Sequence, residues 1–111
     1  MMVNEFEKGK KFSFMSEIRY ADNAVVSKQI LKKKSGNVSL FAFAKDEGLS
    51  EHTAPFDAIV QIVEGKAEIT IDEEPHILSI GESIIMPAHI PHAIRAIDNF
   101  KMVLTMIKEK E

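Results

Sequence analysis

From Ala24 to the end of the chain, apolar residues occur in short runs that are separated by turn residues. No long window in this part shows the apolar period of about 3.6 residues that an amphipathic helix requires. The pattern therefore predicts an all-β domain of short antiparallel strands, either a sandwich or a barrel such as a jelly roll. The runs read AVVSKQIL, VSLFAFA, DAIVQIV, AEITI, HILSI, SIIM, HAIRAI and FKMVLTMI.

The first 22 residues have a different character, with mixed charges and a few scattered aromatic residues in MMVNEFEKGKKFSFM. We expect residues 1–22 to form a short irregular arm and residues 23–111 to form the barrel. A chain of 111 residues is too short for two independent cores, so it should contain a single domain.

Composition narrows the classes of function. The chain has 14 basic and 17 acidic residues, and its one dense basic run, KKK at 32–34, precedes the turn residues SGN. Without a basic face to neutralise phosphates, we expect no nucleic-acid partner. No apolar stretch approaches the ~20 residues of a membrane span, so no membrane association is expected. The N-terminus lacks the apolar core of a signal peptide, and the absence of cysteine excludes disulfides, so we expect a cytoplasmic protein.

Two of the predicted strands are apolar on both faces. DAIVQIV and VSLFAFA have almost no polar positions, whereas AEITI alternates between apolar and polar residues. A strand that is apolar on both faces is normally covered on both sides. We expect a second subunit to supply the outer cover, giving a homodimer through sheet packing, and the N-terminal arm is the alternative cover.

Two stretches carry a resemblance to a known family. The stretch GLSEHTAPFDAIVQIVEG, residues 48–65, resembles the first motif of the cupin family, and GESIIMPAHIPHAIRA, residues 81–96, resembles the second. The second motif is the better preserved, with Gly81, Pro87 and His92 in the family's spacing. The chain is thus similar to small single-domain bacterial cupins of the conserved-barrel, cupin 2 type. This resemblance implies a double-stranded β-helix, the jelly-roll barrel of that family.

The resemblance also implies a degenerate metal motif. Cupins usually hold a divalent metal with two histidines and a glutamate from the first motif and a histidine from the second. The matching positions here are His52, Ala54, Ala58 and His92. A catalytic transition metal normally has about three protein ligands, so a site for Zn, Ni, Mn or Fe would be incomplete. His52 and His92 are the candidate ligands, and His89 is a possible extra polar group at the rim.

The alanines that replace polar groups predict a small, smooth, apolar pocket below the two histidines. Methionine and phenylalanine side chains could complete it, since methionine fills irregular space. The predicted lining consists of Ala54, Phe56, Ala58, Val60, Met86, Ile94, Ala96, Met102 and Met106.

Several functions are compatible with such a pocket. We expect a small-molecule-binding domain whose apolar pocket is capped by two histidines, with a ligand that the sequence does not assign. The alternative is a metal-dependent cupin enzyme of the oxygenase or isomerase type with an incomplete or weak metal site. An imidazole acting as acid or base without metal, histidines that are only structural, a sensor that acts through a protein partner and a purely structural dimer also remain open.

Overall fold

The computed structural model describes residues 5–109, and this part of the chain contains β-strands and no helix. No helix within it could therefore span a membrane. The all-β prediction is confirmed. The strands are β1 (Val25–Lys33), β2 (Gly36–Phe43), β3 (Gly48–His52), β4 (Asp57–Glu64), β5 (Lys66–Ile71), β6 (Glu74–Ser79), β7 (Ser83–Met86), β8 (His92–Ala96) and β9 (Phe100–Ile107).

The strands form two antiparallel sheets. One has the order β1-β2-β9-β4-β7 and the other the order β3-β8-β5-β6. A single apolar cluster contains inward-facing residues of both sheets, among them Val60 from β4 and Ile69 from β5. The two sheets therefore close on one another as a jelly-roll barrel, as the resemblance implied.

Every apolar run of the sequence corresponds to one strand, and β3 is the one strand that those runs do not include. Its sequence, GLSEH, has a single large apolar residue, Leu49, so it shows no alternation. Strand β3 lies at the edge of the four-stranded sheet and pairs with β8. Its strand conformation thus comes from pairing with β8 and not from its own apolar pattern.

One end of the barrel interior is filled by large side chains, and we call it the packed end. The rings of Phe43 and Phe100 stack there with centroids 4.5 Å apart and planes 8° apart. Both rings are fully buried, together with Met102. The packed end contains many of the dispersion contacts that stabilise a core at close-packed density.

A single glycine turns the chain from one sheet to the other beside the packed end. Gly65 is the only residue between β4 and β5 and has φ of 81°. A Cβ placed on it would lie 2.0 Å from the carbonyl oxygen of Asn99. Glycine is required here by both its backbone conformation and the lack of space.

The N-terminal arm packs on the outer face of the five-stranded sheet. Ile18 from the arm is buried there against Leu40, Ala42 and Val103. The chain itself therefore covers one part of this outer face, which is the alternative that the sequence left open for the doubly apolar strands.

Three polar residues fasten the arm, and we call them the arm latch: Tyr20, Glu64 and Lys101. The Tyr20 hydroxyl donates to Glu64 Oε1 at 2.5 Å, and burial and this carboxylate together raise the pKa of Tyr20. Lys101 Nζ donates to the carbonyl oxygen of Met15 at 2.6 Å and lies 3.6 Å from Glu64 Oε1. Because Lys101 is only 8% exposed, its charge depends on these partners for compensation.

Candidate functional site

The structure brings His52 and His92 together at the end of the barrel opposite the packed end. Their Nε2 atoms lie 3.2 Å apart, with ring centroids separated by 4.4 Å. We call them the imidazole pair. His92 begins β8 directly after Pro91, and His52 ends β3 in register with it. Two residues 40 positions apart in the sequence thus form one polar group.

A bulge in β3 turns His52 inward. Leu49 pairs with Ile94, and His52 pairs with His92, so three steps along β3 match two steps along β8. Simple alternation from the inward-facing Leu49 would have pointed His52 outward. The extra residue changes the face, which is what a β-bulge does at a barrel rim.

Backbone carbonyls fix the tautomer of both rings. His52 Nδ1 lies 2.7 Å from the carbonyl oxygen of Ser50, and His92 Nδ1 lies 3.1 Å from that of Ile90. A carbonyl oxygen can only accept, so each Nδ1 that bonds to one carries a hydrogen. The two Nε2 atoms face each other within hydrogen-bonding distance.

The two rings differ in their access to water. His92 is 4% exposed, whereas His52 is exposed. Burial is the largest influence on His92 and lowers its pKa, the hydrogen bond to Ile90 opposes this, and the neighbouring His52 lowers it further. His92 is therefore held in its neutral form at neutral pH.

An apolar cavity of about 210 Å³ lies against the imidazole pair. Its size lies between the ~150 Å³ of an apolar cavity that holds benzene and the ~300 Å³ at which drug-sized pockets begin. The space suits a molecule with one ring or a short branched chain. The lining residues are Leu49, His52, Ala54, Phe56, Ala58, Met86, His92, Ile94, Leu104 and Met106.

Six of the nine apolar residues that the sequence assigned to the pocket line this cavity: Ala54, Phe56, Ala58, Met86, Ile94 and Met106. The structure places the other three, Val60, Ala96 and Met102, inside the buried core and not on the cavity wall. They face inward as alternation required, but they lie further along their strands, beside the large side chains of the packed end.

Two lining residues were not named from the sequence. Leu104 lies on the same inward face of β9 as Met106, so alternation along FKMVLTMI could have identified it. Leu49 belongs to β3, whose sequence carries no strand pattern, and its place became visible only through its pairing with Ile94.

The proline-rich loop between β7 and β8 is tied to the segment before β4. The amide of Ala88 donates to Asp57 Oδ1 at 2.8 Å, and the amide of His89 donates to the carbonyl oxygen of Ala54 at 2.7 Å. His89 has φ of 65°, the left-handed region, and is exposed. These bonds hold Ala54 and Phe56 where they can close the cavity.

His89 does not line the cavity. It borders a separate outer cleft of about 600 Å³, together with Asp57 and Lys108. Phe56 lines both spaces and forms the wall between them.

The donor set around the cavity does not fit the transition-metal site that the resemblance implies. Within residues 5–109, no group of three or more His, Cys, Asp or Glu residues is placed to hold a metal. Ala54 and Ala58, at two of the family's ligand positions, are part of the apolar wall. Two imidazoles supply neither the ligand number nor the negative charge that holds such an ion against water.

A family model described as "Cupin domain" matches residues 39–108 of the chain. No protein of curated function matches the chain.

Solved structures with the same fold include several bacterial proteins. A conserved protein of unknown function from Streptococcus pyogenes is 32% identical, with a TM-score of 0.91 over 100% of this chain and 97% of that one. A cupin superfamily protein from Desulfitobacterium hafniense is 28% identical, with a TM-score of 0.88 over 98% of this chain and 100% of that one. A cupin 2 conserved barrel domain protein from Leptotrichia buccalis is 36% identical, with a TM-score of 0.85 over 87% of this chain and 47% of that one.

Proposed function

The chain belongs to the cupin family, and we propose that its barrel binds a small, largely apolar molecule in the cavity beside the imidazole pair. The observation that carries this proposal is the division of the lining into two chemistries. Eight apolar side chains form the wall, and the two Nε2 atoms of His52 and His92 form one polar end. An apolar cavity with a few convergent polar groups is the usual form of a small-molecule site.

The size and shape of the cavity limit the ligand. A volume of about 210 Å³ admits one ring with a small substituent. Met86 and Met106 on the wall can adjust to the outline of the ligand, because the methionine side chain is flexible and polarisable. The affinity comes mainly from apolar surface removed from water, at roughly 25 cal/mol per Å².

Thermal-shift screening tests this function. We expect small aromatic and branched-chain compounds to raise the melting temperature of the wild-type protein, since a ligand that binds the folded state stabilises it. The matched control is Ala58→Val, whose added methyl groups occupy the cavity and should remove the shift. A full panel of such compounds that shifts neither protein would contradict the proposal.

A metal-dependent enzyme of the oxygenase or isomerase type is the alternative. The convergence of His52 and His92 favours it, because these residues stand at two of the family's ligand positions. Elemental analysis separates the two functions. After growth with added Mn, Fe, Ni and Zn, we expect far less than one metal ion per chain. A stoichiometric ion that is lost in His52→Leu would establish the metal-dependent function instead.

We further propose a homodimer in which a second copy covers the outer face of the five-stranded sheet beyond the arm. The strand register aligns Val38, Thr105, Ile59 and Ile85 in one row across this face. Ile85, at the end of the row, is 59% exposed. Three of these four residues are apolar, and exposed apolar patches commonly mark an interface between subunits.

Sedimentation of the purified chain tests the dimer. Ile85→Lys should convert the dimer to a monomer, because it introduces a charge into the proposed interface. Ile77→Lys is the matched control, since Ile77 is 53% exposed on the other sheet, and it should leave the dimer intact. A wild-type protein that sediments as a monomer at micromolar concentration would contradict this part of the proposal.

A further inference from the structure

We propose that Phe56 is the specificity-determining residue of the cavity, and that its ring limits the length of the ligand by closing the cavity against the outer cleft. The ligand is then an apolar group of one ring with a short side chain. This inference deepens the proposed function and rests on it. It follows from the place of Phe56 in the barrel, from the contacts that hold it and from the spaces on its two sides.

Phe56 is the inward-facing residue at the rim of the barrel, directly before β4. Along β4, Ile62, Val60 and Ala58 face inward, and the first two lie in the core while Ala58 lies on the cavity wall. Phe56 is two positions before Ala58, so alternation continues the same face to it. This face therefore has large side chains at both ends and an alanine between them, and the cavity lies over the alanine.

The chain around Phe56 holds the ring in place. Pro55 precedes it and has a fixed φ, and Asp57, which follows it, accepts a hydrogen bond from the amide of Ala88 at 2.8 Å. The ammonium of Lys108, on the side of the outer cleft, lies 6.0 Å from the centroid of the ring, the limit of a cation–π contact. Phe56 is half-buried and belongs to neither apolar core cluster of the described chain. Its ring can therefore be removed without opening the core.

The two spaces that Phe56 separates differ in size and in chemistry. The cavity has a volume of about 210 Å³ and is apolar apart from the imidazole pair. An apolar cavity of ~150 Å³ holds benzene, and each further ~30 Å³ is the share of one water molecule, so a ring with about two extra carbons fills this space. The outer cleft has about 600 Å³, and its lining includes Asp57, Lys108 and Glu109. Without the ring of Phe56, an apolar chain could continue from the cavity into this cleft.

Alkylbenzenes of increasing chain length test the proposal on the full chain. The probes are toluene, ethylbenzene, propylbenzene, butylbenzene and pentylbenzene. The methyl NMR signals of Met86 and Met106 report binding, and Met102 in the packed end is the internal control. In the wild type we expect pentylbenzene to bind at least about tenfold more weakly than ethylbenzene, because the longer chain overfills a closed cavity.

The variant Phe56→Ala should reverse this order. Each methylene group that leaves water contributes about fourfold to the affinity, so pentylbenzene should bind this variant at least about tenfold more tightly than ethylbenzene. Phe56→Leu opens the wall less and should reduce the wild-type penalty on pentylbenzene by at least about threefold. Ile107→Ala is the matched control, since Ile107 lines the outer cleft and not the cavity, and it should keep the wild-type order.

The position of the bound chain provides a second readout. Ala88 lines the outer cleft and does not line the cavity. In Phe56→Ala we expect a nuclear Overhauser effect between the terminal methyl group of pentylbenzene and the methyl group of Ala88. The ring of the same ligand should remain close to Met86 and Met106.

The possible outcomes separate the two proposals. If toluene moves neither the Met86 nor the Met106 signal, the proposed function fails and the length limit fails with it. If toluene binds but the wild type accepts pentylbenzene as well as ethylbenzene, or both Phe56 variants keep the wild-type order, the length limit is overturned while the apolar cavity remains. A terminal methyl group that contacts His52 instead of Ala88 would also overturn it, because the chain would then leave the cavity past the imidazole pair.

Discussion

The two ends of the barrel interior are built by the same strands and differ in what fills them. At the packed end, the stacked rings of Phe43 and Phe100 are fully buried between the sheets. At the other end, which we call the hollow end, Ala58 and Ala54 leave a space of about 210 Å³ beside His52 and His92. Strand β4 shows the change directly, since Ile62 and Val60 lie in the core and Ala58, on the same face, lies on the cavity wall.

This difference suggests how a small barrel can contain a binding site and remain stable. Large buried side chains stabilise the fold at one end, so the other end can keep small side chains and tolerate a cavity. Stability and binding should therefore be separable by substitution, and the following predictions test that separation.

The largest loss of stability is expected from a substitution at the packed end. Phe100→Ala removes a fully buried ring from a stack and should lower the free energy of unfolding by about 3–5 kcal/mol. Met106→Ala at the hollow end should cost less, below about 2 kcal/mol, because its side chain already borders a space. Urea unfolding measures both values. Equal losses at the two ends would refute the contrast between them.

A smaller loss of stability is expected from a substitution in the arm latch. Lys101→Met leaves Glu64 without its buried cation and the Met15 carbonyl without its donor, and it should cost about 1–3 kcal/mol. Lys28→Met breaks the exposed pair with Glu17 and should change stability by less than about 1 kcal/mol. Urea unfolding of the two variants provides the comparison, and equal costs would show that the latch does not hold the arm.

Filling the hollow end should separate binding from stability. Ala58→Val adds two methyl groups to the cavity wall on a strand that favours β-branched residues. We expect a change in unfolding free energy of less than about 1 kcal/mol and a loss of at least about tenfold in affinity for small aromatic compounds. Urea unfolding and methyl NMR titration measure the two quantities on the same protein. A variant that loses stability and keeps its affinity would show that Ala58 contributes to the stability of the fold and not to the binding cavity.

Acid should weaken the fold through His92. Its pKa is lowered in the folded protein, mainly by burial, so the unfolded chain takes up the proton first as the pH falls. The contribution of His92 to the free energy of unfolding is fully present above the pKa of an unfolded histidine, about 6.5. It is lost as the pH falls from that value through the lower pKa of the folded protein. Urea unfolding at several pH values should show this decline in wild type and in His89→Asn, and a smaller decline in His92→Leu. Identical pH curves for all three proteins would exclude His92 as the cause.

The sequence predicted the strands better than it predicted the site. Runs such as AEITI and FKMVLTMI show their inward faces by alternation, and the structure confirms those faces. The site depends on features that alternation does not contain. The bulge that turns His52 inward results from a register shift between β3 and β8, and the fixed tautomers result from carbonyls that only the folded chain places beside the rings.

The depth of the cavity is a second feature that alternation in the sequence does not predict. Val60, Ala96 and Met102 face inward as alternation required, yet they belong to the core. Where the cavity ends is decided by the aromatic rings of the packed end, Phe43 from β2 and Phe100 from β9, which lie 57 positions apart in the sequence and stack only in the folded chain.

The central claim is that the hollow end is an apolar ligand cavity whose polar end is a convergent imidazole pair and not a metal centre. A crystal structure of protein grown with added Mn, Fe, Ni and Zn, with an anomalous scan, tests it most directly. We predict Nε2 atoms of His52 and His92 within about 3.5 Å of each other and no anomalous peak between them. A peak about 2.1 Å from both nitrogens, or rings that point apart into solvent, would contradict the claim.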